Sequence, residues 1–309
     1  MQNEMNNKKK PMVSAVVSVH NGAKTLDRTI ESLVDQTFPK QDYEILIVDN
    51  ASVDATKDII MAWSSKSGGR VRYLYEGKMG LSQARNKGIS EAKGDIICFT
   101  DDDCVAVTEW LQELVKVFTQ YNTDAVLGKV TLATKIPQDV WLPDWFIKQR
   151  MAHVDHGEEV KQIKEEDLVG ANMSFKKDIF KKWGGFDSAE DLRLNQDTEF
   201  SRRITKLGAV KYYCPKAEIF HHYSISRLNE RKLLEQSVSW GKAAAFVEHE
   251  DVADVRSFYY CILQLFKRGF SIIPFYIKRD RDNIFFTKCK IYSYWGRLLH
   301  LVTNIFQKN

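Results

Sequence analysis

The chain has 309 residues and a formal net charge of +4, which allows one large core with a smaller appended region and gives no argument for a nucleic-acid partner. Its five cysteines are scattered and form no CxxC pair, so they predict reduced thiols in a cytoplasmic protein rather than a disulfide framework or a zinc cluster. No segment offers the roughly 20 uninterrupted apolar residues that a membrane-spanning helix requires.

The first elements in chain order alternate between short strands and amphipathic helices. Residues 1–10 are polar and basic, and we interpret them as a disordered leader. The runs VSAVVSV and EILIVD then predict strands, each followed by a segment with apolar residues at helical spacing, from Leu26 to Val34 and from Ile59 to Trp63. This alternation predicts βαβ units around a mostly parallel sheet.

The middle of the chain continues the pattern and then loosens. GLSQARNKG predicts a helix, and we expect Gly94 to end it in the left-handed conformation before DIICFT, the third predicted strand. Further strands are predicted in DAVLGKVTL, LVGANMSF and AVKYYC, and a helix from about Thr198 to Leu207. Residues 135–167 contain prolines, tryptophans and a charged run, which predicts a long connection that folds over a site.

The strongest chemical signal is the acidic sequence Asp101-Asp102-Asp103 directly after the apolar strand DIICFT. Adjacent carboxylates repel one another unless a cation or hydrogen-bond donors lie among them, and ligands of open α/β sheets bind at this edge. Mg²⁺ and Mn²⁺ prefer carboxylate oxygens and are often shared with phosphates. The alternative is a solvated acidic turn that caps the next helix.

Asp49 ends another predicted strand and is expected at the same edge of the sheet. It has two interpretations, a contact with a nucleobase or ribose and an Asx turn. On the helix before the acidic strand, Arg85 is a candidate for binding phosphate or a carboxylate of the site, and Gly80 allows close approach of a ligand to the backbone.

These motifs together resemble the inverting glycosyltransferases of family 2, which have the GT-A fold. The resemblance covers roughly residues 12–223, and its pieces occur in the order of the family: VVSVHNGAKTLDRTIESLVDQ, EILIVDNASVDAT, GLSQARNKGISEAKGDIICFTDDDC, WGGFD and NQDTEF. It implies an α/β fold with a Rossmann-like, mostly parallel sheet flanked by helices, a nucleotide-diphosphate sugar donor, and Mn²⁺ or Mg²⁺ as the cofactor.

The resemblance also implies roles for individual residues. Asp103 is expected to bind the ion, and Asp197 to deprotonate the acceptor hydroxyl as the general base. His221, in the pair His221-His222, is expected to complete the metal shell, although two histidines after a strand are also common as loop residues. The predicted nucleotide site consists of His20, Asn21, Asp49, Arg85, Asp101 and Asp102, and the predicted acceptor side of Trp183, Gly185 and Gln196.

One position departs from the family pattern. The family usually carries Glu-Asp where this chain has Gln196-Asp197. Gln196 cannot ionise, so it can anchor an acceptor only through hydrogen bonds. The alternative role of Asp197 is that of an acidic residue favoured by the dipole at a helix N-terminus.

From Leu228 onward the sequence predicts helices and is aromatic and basic. It includes the segment IFFTKCKIYSYWGRLLHLVTNIF. Apolar and basic residues at helical spacing suit a helix in a membrane interface, but they also suit a packed helical lobe or a homodimer. We therefore predict a leader (1–10), a GT-A domain (11–227) and a helical C-terminal region (228–309).

The predicted function is transfer of a sugar to a hydroxyl of a glycan or lipid-linked acceptor in cell-envelope or extracellular polysaccharide synthesis, in the cytoplasm or peripherally at the inner face of the cell membrane. Two alternatives stand beside it. Asp101 to Val105 satisfy the DxDx[TV] motif of haloacid-dehalogenase-like phosphatases, with Asp101 as the nucleophile. A non-catalytic sugar-nucleotide binding protein is the other, because Gln196 has replaced an acid.

Overall fold

The computed structural model describes residues 10–137, 140–151, 153–189, 195–248 and 255–307, so nearly all of the predicted leader lies outside the described residues. Within these ranges nine strands form one sheet of order β3-β2-β1-β4-β8-β6-β9-β5, and β7 pairs with β9. The strands are β1 (Val13–Val19), β2 (Tyr43–Asp49), β3 (Val71–Tyr75), β4 (Ile96–Asp101), β5 (Cys104–Ala106), β6 (Ala125–Leu132), β7 (Lys161–Ile163), β8 (Met173–Lys176) and β9 (Lys211–His221).

The sheet is mixed but mostly parallel, as predicted. β1, β2, β3, β4, β6 and β9 run in one direction, and β5, β7 and β8 run against them. Every residue of β1 and β2 is buried, which explains their continuous apolar runs, since central parallel strands are covered on both faces.

The helices of the described residues follow the predicted rhythm. They are α1 (Leu26–Val34), α2 (Thr56–Lys66), α3 (Leu81–Glu91), α4 (Trp110–Gln120), α5 (Asp144–Arg150), α6 (Asp178–Trp183), α7 (Gln196–Lys206), α8 (Glu230–Glu248), α9 (Val255–Ser271), α10 (Ile273–Ile277) and α11 (Arg281–Gln307). α1 illustrates why they form, because its buried residues Leu26, Thr29, Ile30 and Leu33 recur at helical spacing.

Two local predictions were wrong. We did not predict β3, so the acidic sequence follows the fourth strand of the chain and not the third; β3 has one buried residue, Val71, and therefore little apolar signal. Gly94 is not among the residues with positive φ. It is needed for close packing instead, because a Cβ there would lie 2.5 Å from the backbone nitrogen of Ser14.

The order of the strands creates a crevice at the end of β1. β2 pairs with β1 on one side and β4 pairs with it on the other, both in parallel. Val19 is opposite Asp49 and Ser18 is opposite Asp101, so both acids flank the carboxyl end of β1. Ligands of open α/β sheets bind where the strand order reverses in this way. One strand separates the two acids, which puts their backbones roughly 10 Å apart.

The chain divides into two compact units. The first comprises Met1–Thr134, Asp144–Phe186 and Phe200–Tyr223 and contains the sheet. Part of the long connection that we predicted belongs to it, since Val154 bridges to Val130 and β7 pairs with β9.

The second unit comprises Lys135–Pro143, Asp187–Glu199 and Ser224–Asn309. Within it α8 and α11 approach closely, because a Cβ on Gly241 would lie 1.9 Å from the carbonyl oxygen of Ser293, and one on Gly296 would lie 2.0 Å from that of Val238. None of the described helices combines the length and the apolarity needed to cross a bilayer.

Candidate functional site

Two loops at the crevice are joined by hydrogen bonds. His20 Nδ1 lies 2.8 Å from the carbonyl oxygen of Asn50, and Asn21 Nδ2 lies 3.0 Å from His20 Nε2. The backbone N–H of Asn21 donates to Ser52 Oγ, and that of Val53 donates to Asn21 Oδ1, both at 2.9 Å. Asn21 has a φ of 54°, which an asparagine tolerates better than most residues. The loops after β1 and β2 therefore form one preorganised edge.

Asp49 binds the loop that follows β2, but through the residue three positions on and not, as in the Asx turn we considered, through the residue two positions on. Its Oδ1 accepts from the backbone N–H of Ser52 at 2.9 Å, and its Oδ2 accepts from the hydroxyl of Tyr73 at 3.1 Å. Burial and the neighbouring Asp49 carboxylate raise the pKa of Tyr73 to about 12, so this hydroxyl keeps its proton. Each carboxylate oxygen has a further lone pair, so these hydrogen bonds leave the predicted nucleobase contact available.

Asn50 holds a loop beside the site, a role that the sequence did not reveal. Its Nδ2 donates to the carbonyl oxygens of Glu76 and Lys78 at 3.0 and 2.8 Å, and its Oδ1 accepts from the N–H of Gly80 at 2.8 Å. Gly80, with φ of 140°, immediately precedes α3. Asn50 thus fixes the start of the helix that carries Arg85; the one sequence signal was a polar residue ending an apolar run.

Arg85 and Asp101 form the next part of the site. Arg85 is 3% exposed, its Nη2 lies 3.5 Å from Asp101 Oδ1, and its guanidinium carbon lies 5.4 Å from the centre of the Phe186 ring. Its Nη1 is buried and has no hydrogen-bond partner within the described ranges. A buried guanidinium nitrogen without an acceptor favours an anionic ligand, since phosphate and carboxylate oxygens match its geometry.

Asp102 is directed toward the start of α1. Its Oδ2 accepts from Thr25 Oγ1 at 3.1 Å, and its carbonyl oxygen accepts from Thr29 Oγ1 at 2.9 Å. Burial, followed by repulsion from Asp103 and Asp101, raises the pKa of Asp102 to about 7. A Cβ on Gly22 would lie 2.6 Å from Asp102 Oδ2, so glycine is required there. Burial is thus the main cause of the raised pKa, and the two neighbouring acids add to it.

Asp103 and His221 converge because β5 pairs with β9, with Cys104 opposite His221. Asp103 Oδ1 lies 3.2 Å from His221 Nε2, and Asp103, Cys104 and His221 are a group whose ligand atoms lie within 4.8 Å of one another. Two ligands at right angles on an ion with bonds of about 2.1 Å are about 3.0 Å apart, so the carboxylate and the imidazole fit Mg²⁺ or Mn²⁺.

The pKa shifts of His221 and Cys104 have different consequences for metal binding. Burial opposes charging of His221, but the hydrogen bond and the charge of Asp103, helped by Asp101, raise its pKa overall. A cation would therefore compete with protonation of this ring. Burial, with Asp101 and Asp103 adding to it, raises the pKa of the Cys104 thiol well above its usual value. Cys104, which we did not predict near the site, is a protonated thiol and a poor ligand for a hard cation.

The two adjacent histidines, of which the resemblance favoured His221, differ in position. His221 is 6% exposed and faces Asp103, whereas His222 is half-buried and contributes its backbone N–H to the carbonyl oxygen of Asp103. Burial, together with the charge of Arg28, lowers the pKa of His222. The imidazole next to the acidic group is that of His221.

The turn that contains Trp183 and Gly185 is held from two helices. Asn86 of α3 donates to the carbonyl oxygen of Phe186 and accepts from its N–H, at 2.8 and 2.9 Å. Arg203 of α7 donates to the carbonyl oxygens of Trp183 and Gly185. A Cβ on Gly185 would lie 2.4 Å from Asn86 Oδ1. Phe186 itself is buried against Phe99, Phe180 and Phe200, which makes it part of the core.

Asp197 and Gln196 begin α7. Asp197 Oδ1 accepts from the N–H of Thr198 at 2.8 Å, the arrangement expected of an acid near a helix N-terminus. Gln196 and Glu199 are each 2% exposed. Asp197 is less buried than both. The described contacts of α7 are compatible with either role of Asp197, and its function as a base stays a prediction.

The arrangement of the sheet, with acids at the carboxyl ends of β2 and β4 and helices on both faces, is the GT-A fold of nucleotide-sugar glycosyltransferases. The chain belongs to glycosyl transferase family 2: the family matches residues 14–184, more than half of the chain. The family and the fold class that the motifs predicted are thereby confirmed.

Curated relatives cover different parts of the chain. The probable glycosyltransferase YdaM of Bacillus subtilis is 30% identical over 220 residues, 69% of this chain and 51% of the relative. Glycosyltransferase AglE of Haloferax volcanii is 34% identical over 120 residues, 39% of this chain and 40% of the relative. The matched region thus spans about half or less of the length of these relatives.

Solved structures share the fold at low sequence identity. The mannosyltransferase PcManGT of Pyrobaculum calidifontis, in complex with GDP-Man and Mn²⁺, has a TM-score of 0.60 at 16% identity and matches 96% of this chain and 75% of its own. TarS 1-349 of Staphylococcus aureus, in complex with UDP-GlcNAc, has a TM-score of 0.52 at 17% identity and matches 74% of this chain and 66% of its own.

Proposed function

We propose that this chain transfers a sugar from a nucleoside-diphosphate donor to a hydroxyl of a glycan or lipid-linked acceptor, with a divalent cation and with inversion at the anomeric carbon. The observation that carries the proposal is the convergence of Asp103 and His221 beside Asp101 and Arg85, at the crevice where the strand order reverses. Family membership supports the reaction class, and the ligands named for PcManGT and TarS support the class of donor.

The residues divide between binding the donor and moving a proton. Asp103 and His221 would hold Mn²⁺ or Mg²⁺, which would neutralise charge that develops on the departing diphosphate. Arg85 offers its buried Nη1 to an anionic oxygen of the donor, and Asp49 accepts from the nucleobase. His20, Asn21, Asp101 and Asp102 complete this nucleotide site.

On the acceptor side, Asp197 takes the proton from the attacking hydroxyl, which makes it the general base. Trp183, Gly185 and Gln196 position the acceptor, the last through hydrogen bonds since it carries no charge. A single displacement from the face opposite the leaving group inverts the anomeric carbon.

The proposal includes a role in cell-envelope or extracellular polysaccharide synthesis and a cytoplasmic location peripheral to the inner face of the cell membrane. It also includes use of the C-terminal region for contact with membrane or with a second copy.

A phosphatase with Asp101 as nucleophile has less support. Its motif belongs after the first strand of such enzymes, whereas Asp101 ends the fourth strand here and lies beside Arg85. The non-catalytic binding protein differs from our proposal in one testable respect, the requirement for Asp197.

Donor binding is tested by thermal shift with a panel of nucleoside diphosphates, each with and without Mn²⁺. A ligand at about a hundred times its Kd adds about 2.7 kcal/mol to the free energy of unfolding. We expect one or more nucleotides to stabilise the protein with Mn²⁺ and clearly less without it. A panel that stabilises nothing under either condition would sink the proposed donor site.

Catalysis is tested by release of nucleoside diphosphate from the donor that binds, in wild type, Asp197→Asn and Asp178→Asn. Asp178 is an exposed acid in the first turn of α6, so its replacement removes the same charge from another helix start. We expect Asp197→Asn to lose on the order of a hundredfold or more in kcat while still binding nucleotide. Equal rates in all three proteins would favour a binding protein or another base.

A further inference from the structure

The C-terminal unit exposes a continuous apolar stripe along α9 and α10. Tyr259, Leu263, Phe266 and Phe270 are each between 63% and 71% exposed, and at about 100° per residue they fall within an arc of roughly 60° on one side of α9. The stripe continues onto α10 through Ile273 and Ile277, which are 50% and 77% exposed. Monomeric soluble proteins rarely leave contiguous large apolar side chains in water.

Among the residues of this unit that the structure describes, the packing leaves the stripe exposed. The other side of α9 lies against α11, where Cys261 is buried and the ring of Tyr260 contacts that of Tyr294 at 6.2 Å between centroids. Beside the stripe, Ile262, Leu265, Phe266, Gly269, Phe270 and Ile273 line an open apolar cavity of about 520 Å³. The exposed face therefore offers both protruding rings and a recess to an apolar partner.

The charges around the stripe are basic. Residues 255–280 include five Lys or Arg residues and one acid, Asp280. Arg256 and Lys267 are exposed and follow the apolar arc on one side of α9, and Lys278 and Arg279 are exposed at the end of α10. Asp280 is engaged at the start of α11, where its carboxylate accepts from the N–H and the side-chain amide of Asn283. The border of the stripe is thus mostly basic, with Asp280 as the one acid among residues 255–280.

We propose that α9 and α10 lie in the interface of an anionic lipid membrane, with the apolar stripe among the acyl chains and the basic border against lipid phosphates. An apolar face bordered by Lys and Arg, on helices unable to span a bilayer, is the arrangement of interfacial amphipathic helices. A symmetric contact between two copies would bring two basic borders together, whereas lipid phosphates neutralise them. The proposal narrows the membrane contact that the proposed function includes to these two helices, and it does not depend on sugar transfer.

The test is flotation of the full chain with phosphatidylcholine vesicles, with or without phosphatidylglycerol. We expect binding to the anionic vesicles that falls as salt rises and is much weaker on neutral ones. Phe266→Ser/Phe270→Ser should weaken binding by about a hundredfold or more, since burial of each Phe side chain contributes to binding. Arg256→Gln/Lys267→Gln should weaken it on the order of tenfold or more on anionic vesicles alone, at about 1 kcal/mol per charge.

The matched control is Met61→Ser/Leu207→Ser, which removes two exposed apolar side chains from α2 and from just after α7 and should bind as wild type does. Thermal unfolding of each variant checks that it folds. Light scattering at the same protein concentration tests the rival occupant of the stripe. The proposal is overturned if wild type ignores anionic vesicles, if the stripe variant binds as well as the control, or if wild type is a dimer that the stripe variant converts to a monomer. If the wild type binds the vesicles but transfers no sugar, the proposed sugar transfer is wrong and the membrane proposal still stands.

Discussion

The crevice at the end of β1 and the C-terminal helices are stabilised in different ways. At the crevice, loops are held by side-chain hydrogen bonds such as those of Asn50 and Asn21, and burial together with the neighbouring acids raises the pKa of Asp102. In the C-terminal unit, helices are held by close backbone contact at Gly241 and Gly296, and large apolar groups remain exposed. Each region thus presents groups that its proposed partner would bind. At the crevice these are acids and an arginine, for a cation and phosphates, and on the C-terminal helices they are apolar side chains, for lipid.

The largest expected effect is on the crevice. Asp103→Asn keeps the size of the side chain but removes the charge next to His221, so binding of a divalent cation should be lost. We expect nucleoside-diphosphate release to fall on the order of a thousandfold, since a catalytic metal contributes several kcal/mol to the barrier.

The control for this prediction is Asp155→Asn, which removes an exposed carboxylate that lies 3.4 Å from Lys129 Nζ and does not belong to the proposed site. It should change the rate little. Retention of Mn²⁺-dependent thermal stabilisation by Asp103→Asn would show that the ion is held elsewhere.

The second prediction concerns two glycines in the C-terminal helices. Replacement by alanine should lower the free energy of unfolding at one and raise it at the other. Gly241→Ala forces a methyl group against the backbone of Ser293 and should cost about 3 kcal/mol in the free energy of unfolding. Gly269→Ala meets no atom within 4 Å on an exposed helix face and should stabilise by up to about 1 kcal/mol. Denaturant unfolding without lipid measures both; similar values would contradict close packing of α8 on α11.

Sequence reasoning succeeded where the signal is local and failed where it depends on distant chain segments. The buried strands β1, β2 and β4 can be predicted from their apolar runs. The acidic site can be predicted from the three adjacent acids Asp101 to Asp103. The edge strand β3 has one buried residue, so its pattern is weak. In the C-terminal region the periodicity of α9 shows an apolar face, but the contact with α11 decides which face stays exposed.

The same limit applied to individual site residues. The proximity of His221 to Asp103 depends on the pairing of β5 with β9, which connects residues more than a hundred positions apart. The role of Asn50 required the positions of Glu76, Lys78 and Gly80, which no local pattern near Asn50 contains. Such residues are found from the fold and not from the motif.

Asn50 itself gives the third prediction. Asn50→Ala leaves two carbonyl oxygens and one N–H without their partner and should cost about 2 kcal/mol in stability. Because the loop before α3 positions Arg85, we also expect the KM for the donor to rise more than kcat falls. Asn122→Ala, on an exposed turn, should change neither quantity. Unfolding and steady-state kinetics together decide whether Asn50 holds this loop.

The smallest effect concerns a charge buried at the start of β9. Lys211 is 2% exposed, its Nζ donates to the carbonyl oxygen of Glu166 at 2.7 Å, and burial lowers its pKa despite the nearby Asp167 and Glu166. Between this lowered pKa and the unfolded value near 10.5, the unfolded chain binds more protons, so the free energy of unfolding rises with pH in that window. Lys211→Met should lack this alkaline rise, and Lys216→Met, which removes an exposed lysine from the same strand, should retain it. Denaturant unfolding from neutral to alkaline pH measures the difference, and identical profiles for the two variants would mean that Lys211 is not desolvated.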